Sequence, residues 1–167
     1  MSHGRIFEVS LNRKDVERGD YYNPFSDEQI VNAIEGCDYV VKQNNNEFLS
    51  DLHWLSETYG ILIKTEVLKD LDGKEIVIGV IGNKEVKDIR DNLILEKHSR
   101  IEKIKDMLKK DERDIDMWNI SYEAYKYLGF YFTSNDDFSN EMDFLKYYLL
   151  DKIPDEIIIL GSYDYHI

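Results

Sequence analysis

Residues 61–81 read ILIKTEVLKDLDGKEIVIGVI, and this stretch decides the fold class. Ile61–Leu68 and Glu75–Ile81 are rich in β-branched and apolar residues, the composition of strands. Between them, Lys69–Lys74 holds the pair Asp72-Gly73, and glycine tolerates the positive φ that a tight reversal needs. The segment is therefore a β-hairpin, and it requires a sheet.

Outward from the hairpin, helical and strand patterns are mixed. Upstream, Phe48, Leu52, Leu55 and Tyr59 recur at helical spacing, with the Asn44–Asn46 run as a source of caps and Gly60 as the stop. Before that helix, Asp38–Lys42 reads as a short strand. A short helix opens at Ser26, with Gln29 at the capping-box position and Phe25 able to staple onto Ile30. Asn12–Asn23 reads as a charged loop, and Arg5–Leu11 alternates as a strand.

Downstream, a long helix is expected from Asn83 to about Lys110. Its stripe of Val86, Ile89 and Leu93 continues through Ile94, Ile101, Ile104 and Leu108. A second helix over Ile115–Leu128 would place Ile115, Trp118, Tyr122 and Tyr125 on its core side. A strand follows at Phe130–Thr133 and a polar turn at Ser134–Asp137. A last helix carries the stripe Phe138, Met142, Leu145 and Leu149 and ends before Pro154. The final strand covers Glu156–Leu160 and resumes at Tyr163–Ile167.

The order β-α-β-α-β-β-α-α-β-α-β predicts one α+β domain over 1–167. It has a mixed, mostly antiparallel sheet including the hairpin at about 61–81, and about five helices. No internal repeat and no linker rich in Pro, Gly or Ser interrupts it. A chain of 167 residues with 43% hydrophobic content can bury a real core.

Charge is distributed in three blocks. Residues 1–82 carry a net −7, residues 83–113 a net +2 and residues 114–167 a net −8, for a total of −13. The last block also holds eight of the twelve tyrosines. Such an acidic balance argues against direct binding to nucleic acid or an anionic membrane, which needs clustered Lys and Arg. It favours association with basic surfaces. The one cysteine, Cys37, allows no intrachain disulfide and fits a reducing cytoplasm. No apolar run approaches the length of a membrane span. Ile, Lys, Asn, Tyr and Phe total 64 residues against four Ala plus Pro, a usage that points to AT-rich codons and so to a low-GC bacterium, its phages or its mobile elements.

Motifs for chemistry are sparse. His3, His53, His98 and His166 show no zinc spacing. His53 and His98 read as helix-surface residues. Cys37 follows a helix C-terminus, where the dipole disfavours a thiolate. Asp70-x-Asp72-Gly73 lacks the further ligands of a calcium loop and reads as the hairpin turn. Gly79-x-x-Gly82 lacks the Gly-Lys-Ser/Thr ending of a phosphate loop. Asp136, Asp137, Glu141 and Asp143 fit a helix N-terminus better than a magnesium site. No catalytic residue, metal site or cofactor is assigned.

The most unusual stretch is Ser121–Leu150. There tyrosines alternate with carboxylates, the residue types that give contact area and pair with Arg or Lys across an interface. Tyr122, Glu123, Tyr127, Tyr131, Asp136, Asp137, Glu141, Asp143 and Tyr147 are the expected partner-binding residues. The cationic helix 83–113 reads as a solvated element with paired charges. Contact with nucleic acid, contact with an acidic face of the same protein, or a dimer seam along Val86, Ile89, Leu93 and Ile101 are its other readings.

The function expected is a non-enzymatic, acidic interaction protein that occupies the basic, nucleic-acid-binding surface of a partner such as a nuclease. An anti-CRISPR or anti-restriction inhibitor is one such protein. The alternatives are an immunity protein against a basic nuclease toxin, and a small enzyme with a dispersed Asp/Glu/His/Tyr site. The third is favoured by a pocket that holds His53 or His166 with a carboxylate.

Overall fold

The structure, a computed structural model, describes residues 3–19, 26–34, 36–125, 130–134 and 137–167; side chains are described for all of these except 125, 130–134 and 137. Seven strands and six helices alternate along the described chain. They are β1 (His3–Ser10), α1 (Arg13–Arg18), α2 (Asp27–Ala33), β2 (Tyr39–Lys42), α3 (Asn45–Tyr59), β3 (Lys64–Lys69), β4 (Glu75–Gly82), α4 (Asn83–Leu108), α5 (Met117–Tyr125), β5 (Phe130–Ser134), β6 (Asp137–Asn140), α6 (Glu141–Phe144) and β7 (Glu156–His166). The fold is α+β, as the sequence predicts.

The strands form one mixed sheet in the order β3-β4-β7-β1-β5-β6, with β2 added beside β7. Only β1 and β5 run parallel; the other pairs are antiparallel. β7 is one unbroken strand rather than two pieces. It pairs with β1 along one side and, along the other, with β4 at its start and β2 at its end. Where β1 and β7 meet, the register shifts after Glu8: Glu8 lies opposite Gly161 and Val9 opposite Ile159, which leaves Leu160 as the extra residue of a bulge.

Alternation along the strands sends side chains to two faces. On one face Phe7, Val9, Ile81, Ile157 and Ile159 pack under Leu52 and Leu55 of α3, Val86, Ile89 and Leu93 of α4, and Phe144, Leu145 and Leu149. On the other, α2 buries Ile30 and Ile34 against Ile6, Val40, Tyr163 and Tyr165. Also on that face, α1 buries Val16 against Ile78, Val80 and Ile158. Each fully buried aliphatic side chain contributes roughly 1.5–3 kcal/mol.

Local chemistry sets the element ends. Ser26 and Gln29 form the capping box of α2, and Asn44 with Glu47 forms that of α3. Gly60, at φ 62°, ends α3. Its N–H donates to Glu57 O and the next N–H, of Ile61, donates to Ser56 O, which drops Ile61 into the core. That is why β3 starts at Lys64 and not at Ile61. The hairpin turn is held by Asp70 Oδ1, which accepts from the N–H of Asp72 and Lys74, with Gly73 at φ 79°.

Four further expectations need correction. Within the expected loop 12–23, Arg13–Arg18 is helical, capped by Asn12 and tied down by Arg13, which bonds Glu66 of β3 and Glu156 of β7. Phe138 belongs to β6, opposite Thr133 of β5, and the last helix starts later, with Asn140 as its cap. Its final turn, Leu145–Leu149, is a π turn. The stripe of α4 leaves the core after Leu93, so Ile94, Ile101 and Leu108 are exposed. Val86, Ile89 and Leu93 are core residues, so no dimer seam runs along them.

Candidate partner-binding surface

The expected partner-binding residues separate into two environments. Glu123 of α5 and Glu141 of α6 are buried. Glu123 lies 3.4 Å from Lys103 Nζ, and Glu141 Oε1 lies 3.8 Å from Arg100 Nη2. Arg100, itself buried, also donates from Nε to Glu96 at 3.0 Å. Buried charges persist when opposite charges are brought to them. The cationic helix α4 therefore faces acidic residues of its own chain, the reading ranked behind full solvation from sequence. Beside this cluster, burial first, then Glu141 and Glu96, push the Tyr59 phenol well above its ordinary pKa.

Tyr122, Asp143 and Tyr147 are exposed. Tyr131 and Asp137 are placed in β5 and β6 by the backbone alone, and Tyr127 and Asp136 lie outside the described residues. Tyr147 borders a groove of about 360 Å³ with Leu11, Tyr148, Asp151, Lys152 and Asp155. Lys146 Nζ sits 4.8 Å from its ring centroid. Of the expected residues whose side chains are described, Glu123 and Glu141 are therefore buried charges of the fold and Tyr122, Asp143 and Tyr147 are open to solvent.

A different grouping is continuous along the chain. On α5, Met117 is 70% exposed, Trp118 72% and Tyr122 56%. The Trp118 and Tyr122 rings stack at 5.7 Å with an interplanar angle of 11°. The sequence placed Trp118 and Tyr122 on the core side; the structure turns them outward, because α5 lays Glu123 against Lys103 of α4 instead. Just before α5 stand the exposed carboxylates Asp111, Glu112, Asp114 and Asp116. Asp111 pairs with Arg113, and Asp116 caps α5 by accepting from Asn119 N–H at 3.1 Å. Stacked aromatics on a helix that follows a run of carboxylates combine desolvatable area with charge for Lys or Arg. Met117 and Trp118 were missed as surface residues because a helix face of this composition reads the same whether it meets a core or solvent.

The histidines and the cysteine lie elsewhere. His53 is an exposed partner of Glu57 at 3.2 Å. At the far end of β7, His166 Nδ1 lies 2.8 Å from Asp38 Oδ1, and His3 Nδ1 lies 3.1 Å from Asp164 Oδ2. The two imidazoles meet edge to face at 5.0 Å, and Tyr39 stacks on His166. Cys37 Sγ donates to Tyr39 O, and burial raises its thiol pKa. Among the described residues no group of three or more His, Cys, Asp or Glu side chains converges as a metal site. Among them, too, no helix is long and apolar enough to cross a membrane.

No family model matches the chain, and no curated protein or solved structure is significantly similar to it.

Proposed function

We propose that this chain is an acidic interaction protein that docks on the basic, nucleic-acid-binding surface of a partner protein. Its contact is the outer face of α5 with the carboxylates that precede it. The single observation that carries this reading is the exposed stack of Trp118 on Tyr122 next to Met117, preceded in the chain by the exposed carboxylates Asp111, Glu112, Asp114 and Asp116. Large aromatic side chains concentrate binding energy when a partner covers them, and the carboxylates supply orientation and on-rate toward cations. An anti-defence inhibitor from a phage or mobile element, acting in the cytoplasm, is the physiological role that fits this chemistry. An immunity protein for a basic nuclease would use the same surface.

The test is capture from a nuclease-treated bacterial lysate, with the wild-type chain beside W118A/Y122A and D111K/E112K/D114K. The expected result is a basic, nucleic-acid-binding protein that is retained by the wild type, lost with both variants and displaced by added duplex. Equal capture by all three chains, or a captured partner indifferent to duplex, overturns the reading. The enzyme alternative draws on the histidine–carboxylate pairs, His166–Asp38 and His53–Glu57.

A further inference from the structure

The sheet ends at β3. On one side β3 pairs with β4, and among the described residues no strand takes its other side. The N–H of Asp70 donates to Lys74 O across the hairpin, so the even-numbered residues of β3 turn their backbone groups toward β4. Thr65, Val67 and Lys69 turn theirs outward, and all three residues are exposed. Val67 is 59% exposed, and Leu62, just before the strand, 63%. A free edge of this kind is a template for another strand.

The charges along the edge select that strand. Residues 61–69 carry Lys64 and Lys69 against Glu66, a net +1 in a chain of −13. This is where a second copy of so acidic a chain meets little repulsion. The geometry points to a homodimer in which β3 pairs antiparallel with β3 of a second copy about a twofold axis, so that two sheets become one. Such an axis, normal to the sheet, sets residues of the same sheet face opposite each other. Centred on Thr65, it places Lys64 opposite Glu66 of the copy, and the pair occurs twice. Centred on Glu66 or on Lys64, it sets like charges against each other. Centred on Val67, it offers Lys64 only Asp70, whose Oδ1 already accepts from the N–H groups of Asp72 and Lys74. Glu66 has room for a second cation, because Arg13, its ion-pair partner among the described residues, is shared with Glu156. In the Thr65 register Ile63 lies opposite Val67 of the copy and Leu62 opposite Leu68, so the exposed apolar side chains beside the edge are covered.

The test is sedimentation equilibrium of the full chain from about 1 μM to about 1 mM, with circular dichroism to show that each variant is folded. Thr65→Pro removes an outward N–H that β4 does not use, so the hairpin keeps its ladder while the edge is blocked. Lys64→Glu and Glu66→Lys each set like charges across the axis; mixed together, the two chains restore opposite charges at both pairs. Expected for the wild type is a rise with concentration from the mass of one chain toward that of two. Dimerisation is weaker by about tenfold or more in Thr65→Pro and in each charge variant alone, and returns in the mixture. A wild type that keeps the mass of one chain throughout overturns the inference and leaves the edge to a strand of another protein. A dimer that survives Thr65→Pro, or a mixture that associates no better than its parts, overturns it as well.

Discussion

Asp51 shows how one side chain can lock three elements. It sits on α3 and is nearly buried. It accepts from Arg5 Nε of β1 and from Ser162 Oγ of β7, each at 2.7 Å, while Arg5 lies 4.4 Å from the Trp54 ring centroid. Asp51→Ala leaves a guanidinium and a hydroxyl without their acceptor, and the expected cost is about 2 kcal/mol in urea unfolding; Asp51→Asn, which keeps one acceptor, should cost less. Glu8 makes the opposite kind of contribution. Desolvation raises its pKa above the ordinary carboxylate value, against a smaller lowering by Lys42. The folded state then holds that proton more tightly than the unfolded chain. Its ionisation costs nothing below the ordinary carboxylate pKa, sets in as pH rises through the raised value, and stays in full above it. The stability of the wild type relative to Glu8→Gln should therefore fall as pH rises from the ordinary carboxylate value through the raised one. A difference that is flat with pH would contradict this account.

At the scale of elements, the seam between α4, α5 and α6 is electrostatic, with Arg100, Glu123 and Glu141 buried in it. Arg100→Met should cost about 3 kcal/mol, because it removes the buried cation that donates to Glu96 and lies 3.8 Å from buried Glu141, and the double change with Glu141→Leu should recover part of that loss. Chemical denaturation of the two variants measures both. This seam also marks where sequence reasoning stopped working. The hairpin, the Ser26–Gln29 box, the Asn44 cap and the Gly60 stop depend on neighbours a few residues away, so they are legible in the chain itself. Whether Glu123, Glu141, Trp118 or Tyr122 points in or out depends on where α5 and α6 settle on α4. A carboxylate in an acidic segment reads as surface until a buried arginine is found opposite it. The helix Arg13–Arg18 was missed for a related reason: it buries one residue, Val16, and is held by ion pairs from Arg13 to strands 53 and 143 residues away. Of the proposed contact surface, the residue types name Tyr122 as a partner-binding candidate while helical spacing sets it on the core side; they do not name Met117 and Trp118, because helical spacing carries no sign for the side facing water.

For the whole molecule, the balance of charge is the dominant fact. Helix α4 carries seven basic and six acidic residues, and the chain outside it has a net charge of −14. Self-repulsion of that size opposes compaction, and salt screens it. Raising sodium chloride from about 0.05 M to about 0.5 M should increase the melting temperature, followed by circular dichroism, while the same change weakens capture of a basic partner. Opposite responses to one variable separate fold from docking, and parallel responses would show that the partner requires a property other than charge.

The placement of β7 at the centre of the sheet has a kinetic side. This strand is the last in chain order, yet β1, β2 and β4 all take it as their neighbour. Loops of more than a hundred residues must close before β1 finds its main partner, and such closure slows the search. During synthesis on a ribosome the early strands emerge without that partner, and their edges stay uncovered and open to wrong pairing until residues 156–166 appear.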